Sequence, residues 1–112
     1  MGVSFDNIDG VIWYDGKLVP WHDANVHLLT HGLHYASCVF EGGRAYGGEV
    51  FCSTAHSERL KNSARILDFE IPYSVAEIDA AKKLVLDSNK LTDAYLRPIA
   101  WRGSEMMGVS AP

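Results

Sequence analysis

The chain has 112 residues, of which 47% are hydrophobic and 21% charged, and its net charge is -4. This length fits one globular domain, and the hydrophobic content is too high for a disordered chain. The 10 Lys and Arg residues form no basic run, which argues against nucleic acid and anionic membranes as partners.

The first residues lack the basic and apolar regions of a signal peptide, and no apolar stretch is long enough for a transmembrane helix. Cys38 and Cys52 lie far apart in sequence and form no C-x-x-C pair. This pattern is typical of a reducing compartment. We therefore predict a cytoplasmic protein with two free, buried thiols.

Two β-hairpins are predicted in the first half of the chain. Asp15-Gly16 and Gly47-Gly48 are tight-turn dipeptides, and each is flanked by apolar and aromatic residues. The predicted strands are 11–14 and 17–20 in the first hairpin, and about 34–46 and 49–52 in the second.

The period of the apolar residues then changes from two to nearly four. Leu60, Ala64 and Leu67 are spaced i, i+4 and i+7, which predicts a helix with one apolar face. Ser53 or Thr54 is expected to cap its N-terminus.

A second helix is predicted after Ile71-Pro72-Tyr73. Ser74 and Glu77 have the spacing of a capping box, in which each side chain satisfies a free backbone N–H group of the other. Asn89 is expected to end the helix in a left-handed conformation. The predicted apolar stripe consists of Ile78, Ala81, Leu84 and Val85.

A last strand is predicted over residues 95–101, with Pro98 at an edge or a bulge because proline cannot donate to a ladder. Strands thus come first, two helices follow together, and a strand returns. This order predicts an α+β fold, a mainly antiparallel sheet with two helices on one side.

Three histidines, His27, His31 and His34, have a spacing that on a helix places them on one face, as in a zinc site. The residues that follow them favour a strand, and no supporting carboxylate is identifiable. The favoured alternative is that these histidines form hydrogen bonds with the backbone of a turn.

The segment 34–44 combines aromatic residues, glycines and a cation. Tyr35, Phe40, Gly42 and Arg44 suit a pocket for a small anionic molecule, whereas the alternative is ordinary strand packing followed by a glycine-marked bend. Strict alternation places Tyr35 and Phe40 on opposite faces, so a shared pocket requires a bend between them.

Two further arginines are candidate anion-binding groups. Tyr95 and Arg97 are two residues apart on the last predicted strand and point to the same side, so both can reach one carboxylate. Arg59, at the border of the apolar face of the first helix, can bind a phosphate. The alternative for each arginine is a solvated surface side chain.

Read in order, these segments resemble the branched-chain amino-acid aminotransferases, which are pyridoxal phosphate enzymes of fold type IV. Nearly the whole chain is covered, and four ordered motifs together are more specific than any one of them. The motifs are Ile12-Trp13-Tyr14-Asp15-Gly16-Lys17-Leu18-Val19-Pro20-Trp21, His31-Gly32-Leu33-His34-Tyr35 with Val39-Phe40-Glu41-Gly42, His56-Ser57-Glu58-Arg59-Leu60, and Asp93-Ala94-Tyr95-Leu96-Arg97-Pro98, continued by Trp101-Arg102-Gly103 and Met107-Gly108-Val109.

The resemblance implies a role for several residues. Arg59 is expected to bind the phosphate of pyridoxal 5'-phosphate, and Met107 and Val109 to reach into the pocket of a partner subunit in a dimer or higher homo-oligomer. The residues expected to line the substrate pocket are Tyr35, Phe40, Gly42, Arg44, Tyr95 and Arg97.

The resemblance also implies that 1–103 is the small N-terminal domain and that 104–112 begins the loop to a larger domain. This chain has five lysines, and none of them lies in the sequence motif that carries the Schiff-base lysine of the family. We therefore expect no catalytic residue here, and a chain that is inactive alone.

The function implied by the resemblance is amino-group transfer between leucine, isoleucine or valine and 2-oxoglutarate. Two alternatives are a non-catalytic binding or dimerisation module and another fold type IV activity, that of a D-amino-acid aminotransferase or an aminodeoxychorismate lyase.

Overall fold

A computed structural model describes residues 4–105 of the chain. Within that range the chain forms seven short strands, a 3-10 turn and three helices, so the predicted α+β class is confirmed and a short helix is added. The elements are β1 (Val11–Tyr14), β2 (Lys17–Pro20), the 3-10 turn Trp21–Asp23, α1 (His31–Tyr35), β3 (Cys38–Phe40), β4 (Gly43–Tyr46), β5 (Glu49–Val50), α2 (Ser53–Ile66), α3 (Val75–Ser88), β6 (Ala94–Leu96) and β7 (Ile99–Trp101).

The strand pairs of the described residues are all antiparallel, as predicted. β1 pairs with β2, β3 with β7, and β4 lies between β5 and β6. The first hairpin is confirmed, with φ of 47° at Asp15 and 101° at Gly16. Two successive positive φ angles match the right-handed twist of the flanking strands. The Gly47-Gly48 hairpin is confirmed as well, although β5 is only two residues long.

The prediction of one long strand over 34–46 is wrong. Its first residues belong to α1, Ala36 follows in a left-handed conformation with φ of 56°, and β3 begins only at Cys38. The reason is tertiary, because the N–H groups of His31 and Gly32 donate to carbonyl oxygens of residues 103 and 102 at 2.9 and 3.1 Å. These bonds hold a helical turn where β propensity favours a strand.

The predicted strand over 95–101 is likewise divided into β6 and β7, and these two strands lie in different sheets. Pro98 lies at the break, as expected of a residue that has no N–H for the ladder. Its carbonyl oxygen accepts a hydrogen bond from the N–H of Glu41 at 3.0 Å.

The expected cap of α2 is wrong. The residue before the helix is Cys52, in a left-handed conformation with φ of 53° and no side-chain cap. The hydroxyls of Ser53 and Thr54 instead donate to the carboxylate of Asp79 on α3, at 2.8 and 2.7 Å. The serine and threonine therefore join two helices rather than cap one.

The capping box of α3 is confirmed. The N–H of Glu77 donates to the Ser74 hydroxyl at 3.1 Å, and the N–H of Ser74 donates to the Glu77 carboxylate at 3.0 Å. These bonds lower the pKa of Glu77 below its ordinary value.

The expected end of α3 is wrong in detail. Asn89 has φ of -89°, and Lys90 is the residue in the left-handed conformation. The amide of Asn89 pairs instead with the backbone of Val11 on β1, at 2.9 Å to its N–H and 3.0 Å to its carbonyl oxygen. Asn89 thus joins α3 to the first hairpin.

The core consists of two clusters, because α2 packs on β3 and β7 while α3 packs on β1 and β5. The predicted apolar faces are confirmed in part: Leu67 and Leu84 are exposed, and Lys82 and Leu86 lie on the buried side of α3. The clusters are Leu60, Ala64, Ile71 and Ile78 in the first, and Ala45, Leu86 and Leu96 in the second.

The predicted burial of both thiols is wrong. Both cysteines are free, but Cys52 is exposed at the start of α2 and Cys38 is half-buried on β3. Burial raises the pKa of the Cys38 thiol, an effect that the charge of Arg97 partly offsets.

None of the helices in residues 4–105 has the length and apolar character of a membrane-spanning segment.

Candidate active site

The candidate site lies between two antiparallel segments of the chain, 38–46 and 94–101. Each segment is divided into two strands, and the two interruptions lie opposite each other. Phe40, the last residue of β3, faces Ile99, while Gly43, the first residue of β4, faces Leu96. The intervening residues 41–42 therefore lie across from 97–98. We call this place the double strand break.

The break brings an aromatic ring and a guanidinium together. Cζ of Arg97 lies 3.8 Å from the centroid of the Phe40 ring, and the ring is 53% exposed. The positive charge at this distance is attracted to the face of the ring, which also limits the orientations of the Arg97 side chain.

Tyr95 completes this group of side chains. A Cβ atom placed on Gly42 would lie 2.9 Å from the Tyr95 hydroxyl, so only glycine allows the phenol to lie so close to the backbone. Arg44 is opposite Tyr95 in the β4–β6 register and is exposed, with its Cζ 6.0 Å from the centroid of the Tyr46 ring.

These side chains can bind one small molecule with two kinds of group. The guanidinium fork and the phenol suit a carboxylate, and the half-exposed rings of Phe40 and Tyr95 offer apolar surface. The bend required for a shared pocket is present between Tyr35 and Phe40. Tyr35 lies on α1, with its ring centroid 4.5 Å from that of His31.

A second group of side chains is built around Glu41, within the break; we call it the Glu41 cluster. The Glu41 carboxylate is 6% exposed and accepts two hydrogen bonds from Arg59 on α2, from Nε to Oε2 at 2.8 Å and from Nη2 to Oε1 at 2.7 Å. Nδ1 of His56 lies 2.8 Å from the same Oε1. The hydrogen bonds from Arg59, followed by that from His56, hold the pKa of Glu41 below its ordinary value despite burial.

Arg59 is thus fixed at one edge and open at the other. Its side chain is 66% exposed, and the hydrogen bond from Nε and Nη2 to Glu41 raises the pKa of the guanidinium. The chemistry of a planar fork leaves the N–H groups of Nη1 for a further anion.

Sequence reasoning includes Glu41 in the candidate pocket segment 34–44 without a role of its own, and it assigns no role to His56. His56 and Arg59 are three residues apart on α2, so the helical period places them on one face. That spacing was available in the sequence. The pairing with Glu41, 15 and 18 residues away, depends on the packing of α2 against β3.

Each of the three histidines has a hydrogen-bond partner of its own. Among residues 4–105 no group of three or more His, Cys, Asp or Glu side chains is placed to hold a metal ion. Nδ1 of His27 accepts the N–H of Leu29 at 3.0 Å, and Nε2 of His34 lies 2.8 Å from the carbonyl oxygen of Leu28. His31 pairs with the Ser37 hydroxyl at 2.6 Å, and the backbone interpretation is confirmed for His27 and His34. The remaining candidates, Met107 and Val109, lie outside the described residues.

The sequence pattern of the family described as Amino-transferase class IV matches residues 38–112. A branched-chain-amino-acid aminotransferase of Pseudomonas aeruginosa is 50% identical over 113 residues, an alignment that covers 97% of this chain and 37% of that protein. A probable branched-chain-amino-acid aminotransferase of Rickettsia bellii is 50% identical over 101 residues, covering 90% of this chain and 35% of the relative.

Solved structures agree with these sequence matches. The branched-chain amino acid aminotransferase from Escherichia coli superimposes with a TM-score of 0.89 at 40% identity, covering 94% of this chain and 37% of that one. The T.th. branched-chain amino acid aminotransferase complexed with N-(5'-phosphopyridoxyl)-L-glutamate gives 0.86 at 40% identity, covering 90% and 36%. The chain thus spans a little over one third of the length of these proteins.

The family pattern includes the double strand break, the Glu41 cluster and both long helices. It extends over more than half of the chain. The chain therefore belongs to the class IV aminotransferase family.

Proposed function

We propose that this chain forms the substrate-binding and phosphate-binding part of a branched-chain amino-acid aminotransferase. The observation that carries the proposal is the double strand break, where the Arg97 guanidinium lies over the Phe40 ring and the Tyr95 phenol lies close to Gly42. The names and the identity of the relatives support the choice of substrate. The proposed reaction exchanges an amino group between leucine, isoleucine or valine and 2-oxoglutarate.

In this proposal the side chains of the break separate the two ends of the substrate. Phe40 and Tyr95 enclose the branched apolar group, and Arg97 with the Tyr95 hydroxyl binds a carboxylate, including the second carboxylate of glutamate as amino donor. Arg44 adds positive charge beside Tyr95. An apolar wall next to a charged fork suits both leucine and glutamate, which one transaminase must accept in turn.

The chemistry of Arg59 fits pyridoxal 5'-phosphate. Its guanidinium is held at one edge and exposed at the other, which suits a phosphate group. The cofactor is present as a phosphopyridoxyl derivative in the T.th. relative. When bound, this group supplies the electron sink for amino-group transfer.

The lysines of this chain are not in the lysine motif of the family. Lys82 is buried and donates to the carbonyl oxygen of Ser53 at 2.9 Å, and Lys83 donates to that of Gly48 at 2.8 Å. We propose that the lysine chemistry belongs to the part of the relatives with which this chain does not align. On this basis 1–103 is the small domain, 104–112 begins the interdomain loop, and the chain alone is inactive.

Association with a second copy is part of the same proposal. The region around α1 exposes Leu28, Leu33 and Tyr35, with exposed fractions of 74%, 62% and 41%. Apolar surface of this kind favours association. Met107 and Val109 are proposed to extend into the pocket of the partner subunit, in a cytoplasmic enzyme.

The test is a chimera in which this chain replaces the aligned segment of the Pseudomonas aeruginosa relative. We expect the folded chimera to transaminate leucine with 2-oxoglutarate, and the 112-residue chain alone to show no conversion. Arg97→Gln in the chimera should lower kcat/KM by roughly 10- to 100-fold, because a charge-assisted hydrogen bond to a carboxylate is lost. The matched control is Arg65→Gln, since Arg65 is an exposed arginine paired with Glu70 and should leave kcat/KM unchanged.

Each alternative predicts a different result. A folded chimera that accepts D-alanine but not leucine would favour a D-amino-acid aminotransferase, and release of pyruvate from aminodeoxychorismate would favour the lyase. A folded chimera without activity on any of these substrates would favour a non-catalytic module.

A further inference from the structure

The Glu41 cluster contains more than the phosphate-binding role of Arg59 requires. A single exposed arginine can bind a phosphate, yet here its fork is tied to a buried carboxylate that a histidine also contacts. Glu41 and His56 must therefore contribute something that Arg59 alone does not provide.

Glu41 is rigidly placed by its backbone. Its N–H donates to the Pro98 carbonyl oxygen at 3.0 Å, directly across the double strand break. Phe40 precedes it and Gly42 follows it, and both belong to the proposed substrate pocket. The carboxylate of Glu41 therefore connects the strands of that pocket to Arg59 on α2.

The two ends of this interaction differ in exposure. The Glu41 side chain is 6% exposed, whereas that of Arg59 is 66% exposed. Because both carboxylate oxygens are used, the guanidinium is fixed in rotation as well as in distance. Its remaining edge is thus directed toward solvent in one orientation.

His56 supports the carboxylate from the same helix. Its Nδ1 lies 2.8 Å from Oε1, the oxygen that also accepts Nη2 of Arg59, and its side chain is 24% exposed. A second donor on one oxygen restricts rotation of the carboxylate, and so keeps both contacts to Arg59 in place.

We propose that Glu41 and His56 are positioning residues that hold the Arg59 guanidinium with its outer edge ready for the cofactor phosphate. The inference rests on the proposed function, in which Arg59 binds that phosphate. A free arginine gives up rotamer freedom when it binds, and this loss is smaller when the side chain is already held.

The opposite role is also physically possible. A carboxylate that occupies two N–H groups of the fork can compete with a phosphate for them. In that case removal of the Glu41 charge strengthens phosphate binding. The two roles therefore predict changes of opposite sign.

The experiment follows the Arg59 Nε–Hε signal by NMR in the purified 112-residue chain. Pyridoxamine 5'-phosphate is titrated into the chain, and pyridoxamine, which lacks the phosphate, is titrated separately. We expect the phosphate compound to shift the Arg59 signal, and Glu41→Gln to weaken its binding about tenfold while the weaker binding of pyridoxamine stays unchanged. Glu70→Gln, which removes an exposed glutamate paired with Arg65, is the matched control and should have no effect.

His56 provides a second route if Glu41→Gln does not fold, as judged by circular dichroism. His56→Ala should weaken binding of the phosphate compound several-fold, and His56→Asn, which can still donate to Oε1, should restore part of the loss. Unchanged or tighter binding in these variants overturns the positioning role and leaves the proposed function intact. An Arg59 signal that no phosphate compound shifts in the wild-type chain overturns the inference, whereas leucine transamination by the chimera is measured separately.

Discussion

Two carboxylates that contact α2 are bonded in different ways. Asp79, between α2 and α3, accepts hydrogen bonds from the neutral hydroxyls of Ser53, Thr54 and Ser57, with Lys82 Nζ 3.9 Å away. Glu41, in the double strand break, is bonded to a cation and a histidine that both remain partly exposed.

The two carboxylates differ in how exposed the charged groups beside them are. Ser57 and Lys82 are buried, whereas Thr54 is exposed, and the hydroxyls of Ser57 and Thr54 both donate to Asp79. Arg59 keeps an exposed edge beside Glu41. The group around Asp79 therefore serves to join α2 and α3, whereas the Glu41 cluster also keeps an exposed positive charge.

The largest effect is expected at Asp79. Asp79→Ala removes the acceptor of three hydroxyls and leaves the buried Lys82 ammonium without its nearby carboxylate, so we expect the free energy of unfolding to fall by about 3 kcal/mol. Urea denaturation measures this fall in the free energy of unfolding. Asp87→Ala is the control, because the exposed pair of Asp87 with Lys83 should contribute less than about 0.5 kcal/mol. Equal losses in the two variants would mean that Asp79, with its three hydroxyl donors and Lys82, stabilises the fold no more than an exposed ion pair does.

Lowering the pH should reveal how much the charge of the Asp79 carboxylate contributes to the free energy of unfolding. Burial raises the pKa of Asp79, but hydrogen bonds from Ser57, Thr54 and Ser53 outweigh it, and the net pKa lies below the ordinary 3.8. The pKa of Glu41 is also lowered, from 4.5. A lowered pKa in the folded state stabilises the protein above the unfolded value, and this contribution is lost as the pH falls through the folded value.

The free energy of unfolding should therefore be steady above about pH 5 and fall below about pH 4. The difference in stability between wild type and Asp79→Ala should narrow over the same range, because protonation removes the charge in the wild type too. Urea titrations at several pH values test this. A difference that stays constant down to about pH 2 would show that the Asp79 charge is not stabilising.

The elements that were predicted correctly depend on short-range signals. The Asp15-Gly16 turn and the Ser74–Glu77 capping box each involve residues at most three positions apart, so the sequence contains the whole interaction. The first hairpin and α3 follow from them. In the site, Tyr95 and Arg97 were predicted to share one strand face, but Arg97 lies between β6 and β7, and the shared role of the two residues stays a prediction.

The errors occur where a distant partner decides the local structure. α1 replaces a strand because residues 102 and 103 accept its N–H groups, and the expected caps Ser53 and Thr54 bond to Asp79 instead. Glu41 was named within a motif, but its pairing with Arg59 depends on how α2 packs. The local periodicity of a sequence does not indicate contacts between residues that are far apart in the chain.

A small effect on stability is expected at Gly42. A methyl group there would lie 2.9 Å from the Tyr95 hydroxyl and 3.2 Å from its Cε1. Both atoms are at the far end of a side chain that is 52% exposed, so the ring can move away. Gly42→Ala should therefore change the free energy of unfolding by less than about 1 kcal/mol, while the Tyr95 ring signals shift in the NMR spectrum.

Gly43→Ala is the matched control, because a methyl group at Gly43 would meet only the Leu96 carbonyl oxygen, at 3.9 Å. It should leave the Tyr95 signals in place. A loss at Gly42→Ala as large as that at Asp79→Ala would mean that Tyr95 is packed as part of the core. A small loss with a displaced ring would instead show that the fold does not depend on the Gly42–Tyr95 contact.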